Sequence, residues 1–149
     1  MPGKWATAAI VAGVAATLGF AAGLAIEQAL QNERKMSPRL SAAFAAVLLG
    51  RHELSEFSPL QYLINTLNSK SYDGVARPFL TELTRDEDVR RAIYPAVAKG
   101  NKVEKIALVQ ILAANGDKDT IPVIEPLKGD SDLEVVDAAT KALSALKGK

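Results

Sequence analysis

The sequence predicts an all-α protein: an N-terminal transmembrane helix followed by a short α-solenoid of about seven helices. Three observations carry this expectation. Trp5 to Ile26 is a run of 22 residues without a charge. The last third of the chain, Lys102 to Lys149, repeats itself. Between these, apolar residues recur at the spacing of one helical face, broken by Gly, Pro and Ser-Pro signals. A chain of 149 residues accommodates one domain and an appendage, expected as 1–36 (the membrane helix and its juxtamembrane extension) and 37–149.

The N-terminal run is roughly 33 Å long as a helix, enough to cross a bilayer. Lys4 and Trp5 sit where an interfacial anchor sits. Ala15, Gly19 and Gly23 form a small-xxx-small ridge that lets a second helix approach closely. The span is Ala-rich and weakly hydrophobic, so a cleavable signal peptide, with Gly23-Leu24-Ala25 as a cleavage site, competes with the anchor. A buried helix packed on the solenoid is the third reading. Arg34, Lys35 and Arg39 follow the run and only Lys4 precedes it, which favours a cytoplasmic C-terminal domain. The four-residue N-terminal tail argues for the opposite orientation; the reading leans cytoplasmic.

Ser37-Pro38 is an N-cap with Pro at the first helical position, opening a helix from Arg39 to Leu49 that Gly50 ends. Ser58-Pro59-Leu60-Gln61 repeats the device, with Ser58 and Gln61 as a capping box. The helix it opens runs to about Asn68, with Leu60, Leu63, Ile64 and Leu67 on one face. Asn68 to Gly74 is a loop by composition. Helices follow over about 75–84 and 87–99, the second carrying Pro95, which is expected to kink or end it.

In Val103 to Ala114 the apolar positions again trace one face, and Asn115-Gly116 stops the helix. Asp119-Thr120 is expected to cap a short helix with Pro122 in its first turn. Pro126 removes a backbone bond from it, leaving it kinked or only two turns long. Gly129-Asp130 ends it, and Ser131 with Glu134 reads as a capping box for the last helix. A shift of 32 positions lays Ala107 on Ala139, Ile111 on Leu143 and Gly116 on Gly148. A helix pair recurring about every 30 residues is the signature of an α-solenoid.

Three runs resemble HEAT-like repeats: D-x-x-V-R-R-A at Asp86–Ala92, I-P-V-I-E-P-L at 121–127, and A-A-x-x-A-L-x-x-L at Ala138–Leu146. The resemblance covers about 74–149 and, more weakly, 37–72. It implies a curved surface that binds other proteins, and it brings no catalytic residues. Inner helices of that class line the concave face, here about 59–68, 87–99 and 120–128. Off the core pattern these carry Gln61, Asn65, Arg90, Arg91, Tyr94, Glu125 and Lys128. Arg and Tyr dominate interface hot spots, which singles out Arg90, Arg91 and Tyr94 as a candidate partner surface. The last helix shows an apolar band wider than one neighbour needs, so its face around Leu143 is a second candidate.

The remaining residues speak against chemistry. Formal charge is +1, and from Met36 onward 15 basic residues balance 15 acidic ones, which argues against electrostatic capture of nucleic acid. Cysteine is absent and His52 is the only histidine, set beside a helix-ending Gly as a loop residue. Asp86-Glu87-Asp88 fits the first turn of a helix, where acids complement the dipole. Asp117, Asp119, Asp130 and Asp132 occupy turns and caps. No P-loop, dinucleotide fingerprint, nucleophile elbow or H-E-x-x-H occurs. Some HEAT-like proteins are DNA glycosylases, yet such a site needs stacking aromatics and a basic groove, and the sole Trp lies in the apolar run. The expectation is therefore a non-enzyme without cofactor or metal. It takes no nucleic acid or small-molecule substrate, and meets the bilayer through 5–26 and protein subunits of a membrane complex through its helical domain. An exported or periplasmic adaptor with a cleaved leader is the alternative; an enzyme or nucleic-acid binder on the same scaffold is a distant one.

Overall fold

Seven α-helices, with no strand, make up the described part of the chain, residues 38–148 of a computed structural model. They are α1 (Pro38–Leu48), α2 (Pro59–Thr66), α3 (Asp73–Leu83), α4 (Glu87–Lys99), α5 (Lys102–Asn115), α6 (Ile121–Ile124) and α7 (Leu133–Lys147). Among the described residues no helix is long and apolar enough to cross a membrane. The expected span 5–26, its Ala15, Gly19 and Gly23 ridge, Lys4, Trp5 and the Ser37 cap lie outside the described residues. The chain divides into two compact units between Leu83 and Thr84.

In the first unit, α1 buries Leu40, Ala43, Phe44 and Val47, the i, i+3, i+4, i+7 set of one face. The helix stops where Gly50 takes φ 113°, a backbone conformation that a side chain resists. Ser58 caps α2: its Oγ accepts from the Gln61 amide at 3.2 Å while donating to the Ser55 carbonyl at 2.9 Å. The expected reciprocal half of the box does not form, because the Gln61 side chain donates instead to Asn65 Oδ1 one turn on. Helix α3 starts at Asp73, two residues earlier than expected, and continues through Pro78. Its Phe79 packs on Phe44 with ring centres 4.3 Å apart, and both side chains are fully buried.

In the second unit, Asp86 caps α4 by accepting from the Asp88 amide, while Glu87 and Asp88 occupy the first turn, where the whole cluster was expected to complement the dipole. Pro95 does not end α4, which runs on to Lys99. Pro95 and Arg91, whose carbonyl loses its i+4 donor, are both exposed, so water replaces the missing bond at little cost. Asn101 and Glu104 form a capping box for α5, and Gly116 closes it in the left-handed region at φ 72°.

The next cap differs from expectation. Asp117, rather than Asp119-Thr120, caps a 3-10 turn at Lys118–Thr120, since its carboxylate reaches the Asp119 amide at 2.9 Å. The Thr120 hydroxyl points back to donate to the Asp117 carbonyl. A single α turn, α6, then passes into a 3-10 turn at Glu125–Gly129 containing Pro126, the short broken helix that the two prolines dictate. Asp132, not Ser131, caps α7, because Ser131 is exposed and the Asp132 carboxylate accepts from the Glu134 amide at 2.8 Å.

Side-chain bonds fix the directions of these helices. Asn115 at the end of α5 donates to the buried Thr84 hydroxyl before α4, at 2.7 Å, so α4 and α5 run antiparallel. Lys147 at the end of α7 meets Glu125. Lys102, opening α5, pairs with Asp132 and Glu134, which open α7. Helices α5 and α7 therefore lie side by side and parallel.

Candidate interaction surface

The residues singled out from sequence end in four different situations. Arg90 is spoken for. Its guanidinium pairs with Asp117 Oδ2 at 2.7 Å and donates to the Thr84 and Arg85 carbonyls at 2.9 Å, with only 13% of the side chain exposed. It ties the start of α4 to the turn after α5 and offers little to a partner. Arg91, one position on, is exposed and pairs with Glu87 along the same helix. Tyr94 is half-buried; burial, then the nearby Asp117 carboxylate, push its hydroxyl pKa above the ordinary tyrosine value. Leu143 is 4% exposed, a core residue of its unit, so the docking face expected around it does not exist there. The apolar band of α7 is wide because it packs both on α5 and on the α6 segment.

Of the other concave-face residues named from sequence, Asn65 and Lys128 are exposed, while Gln61 and Glu125 are half-covered and bonded to Asn65 and Lys147. His52 lies half-buried in the connection between α1 and α2, next to the exposed Arg51–Glu53 pair.

Two carboxylates carry ion pairs that hold the second unit together. Lys105 donates to Asp130 at 2.8 Å, and this bond, followed by the Asp132 amide, holds the Asp130 carboxyl below its ordinary value. Lys147 does the same for Glu125. Both folded pKa values are depressed, so the stabilisation is present above the ordinary carboxylate values, 3.8 and 4.5, and is lost as pH falls through the lower folded ones. Thermal midpoints should accordingly hold down to about pH 4.5 and drop below it. A Lys105→Met variant, starting lower, should drop less; parallel curves for the two proteins would contradict the assignment.

Sequence reasoning passed over a trough in the first unit. It is an open groove of about 640 Å³ between α1 and α2 and the connection joining them. Arg39, Ala42 and Ala43 of α1 line it together with Arg51, Glu56, Phe57 and Tyr62. The Arg39 guanidinium lies 5.1 Å from the centre of the Tyr62 ring, and Phe57 is 90% exposed. The available signal was an aromatic directly before the Ser58 cap. A residue in that position often packs back on its helix, whereas Phe57 does not.

No protein-family model matches the chain, and no curated protein and no solved structure is significantly similar to it.

Proposed function

We propose that this chain is a membrane-anchored, non-catalytic scaffold that binds other proteins, as an accessory or structural subunit of a larger membrane complex. Its helical domain is read as HEAT-like, with the C-terminal domain on the cytoplasmic side. The observation that carries the proposal is the uncharged run Trp5–Ile26 joined to a domain made only, in its described residues, of paired helices.

Burial in the second unit supports the repeat. The 32-residue shift carries α5 onto α7, and Ala107 and Ala139 are both 0% exposed. Ile111 and Leu143 match in the same way, at 3% and 4%. Leu108 and Leu112 of α5 are fully buried, while Thr140 and Ser144, which stand in their places on α7, are exposed. Each helix of a repeat array turns one face to its successor, and a terminal repeat needs that face polar. On this reading α7 is the cap, and binding falls to the α4–α6 layer, where Arg91 remains exposed. Replacing the cap residues together, Thr140→Leu with Ser144→Leu, should create self-association that rises with concentration and leave the unfolding midpoint nearly unchanged. Sedimentation reads this, and unchanged behaviour would count against the cap.

Alkaline extraction of membranes tests the anchor. The full chain should stay in the pellet, and a chain without residues 1–36 should be released. Release of both, or a mature chain that begins near Ile26, would favour the exported adaptor.

A further inference from the structure

We propose that the trough between α1 and α2 is a self-complementary contact: two copies of this chain pair about a two-fold axis, Phe57 of each entering the trough of the other. The pairing rests on the first unit alone and needs no membrane. A contact between identical faces requires a projection and a recess on the same patch, so that each copy supplies what the other receives. The first unit has both. Phe57 is 90% exposed, and it stands at the edge of a recess of about 640 Å³. Ala42 and Ala43 line that recess with methyl groups, which lets a ring come close, and Tyr62 offers an aromatic partner.

The rest of the patch suits a second copy. Leu49 extends α1 by one residue, its amide donating to the Ala45 carbonyl, and is 72% exposed. With Ala42 and the half-covered Ala46 it forms an apolar stripe at i, i+4 and i+7 beside the trough. Among the described residues of the first unit, Leu49 and Phe57 are the large apolar side chains left exposed, and both fall on this face. The cations Arg39 and Arg51 are matched in number by Glu53 and Glu56, so two such faces meet without net repulsion. A buried phenylalanine removes roughly 200 Å² from water, so two rings and the lining they cover account for about 800 Å². The Leu49 stripes bring the total to about 1,000 Å², the lower end of a specific interface, which makes the pair weak and reversible. Being isologous, it closes at two copies, unlike the growth expected once the α7 cap is lost.

Equilibrium sedimentation of the full chain in a density-matched mild detergent reads the pairing. The chain mass should rise from one copy to two with concentration. Phe57→Asp should hold it at one copy over the same range with unchanged circular dichroism, since the exposed ring supports no core. Ala42→Trp, which fills the recess and leaves Phe57 in place, should do the same. The sequence contains no cysteine, so the contact can also be located directly. A Glu56→Cys chain mixed with an Ala42→Cys chain should give a mixed pair with a short bis-maleimide, at severalfold the yield of two Ser144→Cys chains. One copy at every concentration would overturn the proposal. A pair that survives both Phe57→Asp and Ala42→Trp would also overturn it and place self-association elsewhere, with residues 1–37 the first region to test. Cross-linking of Glu56→Cys in native membranes to a different protein, from a chain that stays single when purified, would give the trough to that partner and sink the pairing.

Discussion

Phe79→Ala is expected to destabilise the first unit by about 3–5 kcal/mol. Phe79 sits at the middle of α3 with no exposed surface, and its ring lies against Phe44, itself fully buried on α1. Truncation removes the transfer free energy of a phenyl ring and leaves a cavity that two helices must collapse to fill. A loss of that size approaches the whole stability of a small helical unit. Chemical denaturation followed by circular dichroism should show an early transition that the parent chain lacks, with helix lost in the first unit while the second still unfolds at its usual midpoint. A single transition shifted by less than about 1 kcal/mol would mean that the Phe44–Phe79 contact is not the centre of this core.

Asp117→Ala should cost the second unit about 3 kcal/mol, since it strands the Arg90 charge. Arg90 is mostly covered, its Nε is buried without a hydrogen-bond partner among the described residues, and Asp117 is its counter-ion. Removing that carboxylate leaves the desolvation of the guanidinium in place and takes away the attraction that offsets it. The paired replacement Arg90→Met with Asp117→Leu should recover most of the loss, because two apolar side chains carry no desolvation penalty. A double-mutant cycle by denaturant unfolding separates these terms. If the double variant were as unstable as Asp117→Ala, the defect would lie in the 3-10 turn that Asp117 caps rather than in the ion pair.

How much of this could be read from the residues follows from the range of each interaction. Local signals were legible. Gly116 ends α5, Pro122 and Pro126 shorten the next helix to a turn of each kind, and Glu87 and Asp88 sit in the first turn of α4, all decided within a few positions. Caps were misassigned where two candidates lie within two residues of each other. Asp132 displaces Ser131 and Asp117 displaces Asp119, because one or two residues of register decide which side chain meets an amide. Partnerships across the fold were not legible. That Arg90 meets Asp117 and Lys105 meets Asp130 depends on helices returning side by side, and no spacing in the sequence encodes the match. The candidate surface suffered most from this. Arg90 was chosen as a free hot-spot residue and is consumed by the fold, while Leu143 was chosen as exposed and faces the core. The trough was missed for the same reason: Arg39, Phe57 and Tyr62 become neighbours only once α1 and α2 fold back on each other.

The central claim, a membrane-held scaffold that works by binding protein, is tested most directly by extracting native membranes in a mild detergent. Whatever co-migrates with the chain is then identified, and the N-terminus of the recovered chain is sequenced. The expected result is recovery in one defined large complex, with Met1 or Pro2 still present and the co-migrating subunits constant from one preparation to the next. Recovery as a free, soluble species beginning near Ile26 would contradict the claim and leave an exported adaptor, with its partner in the aqueous phase.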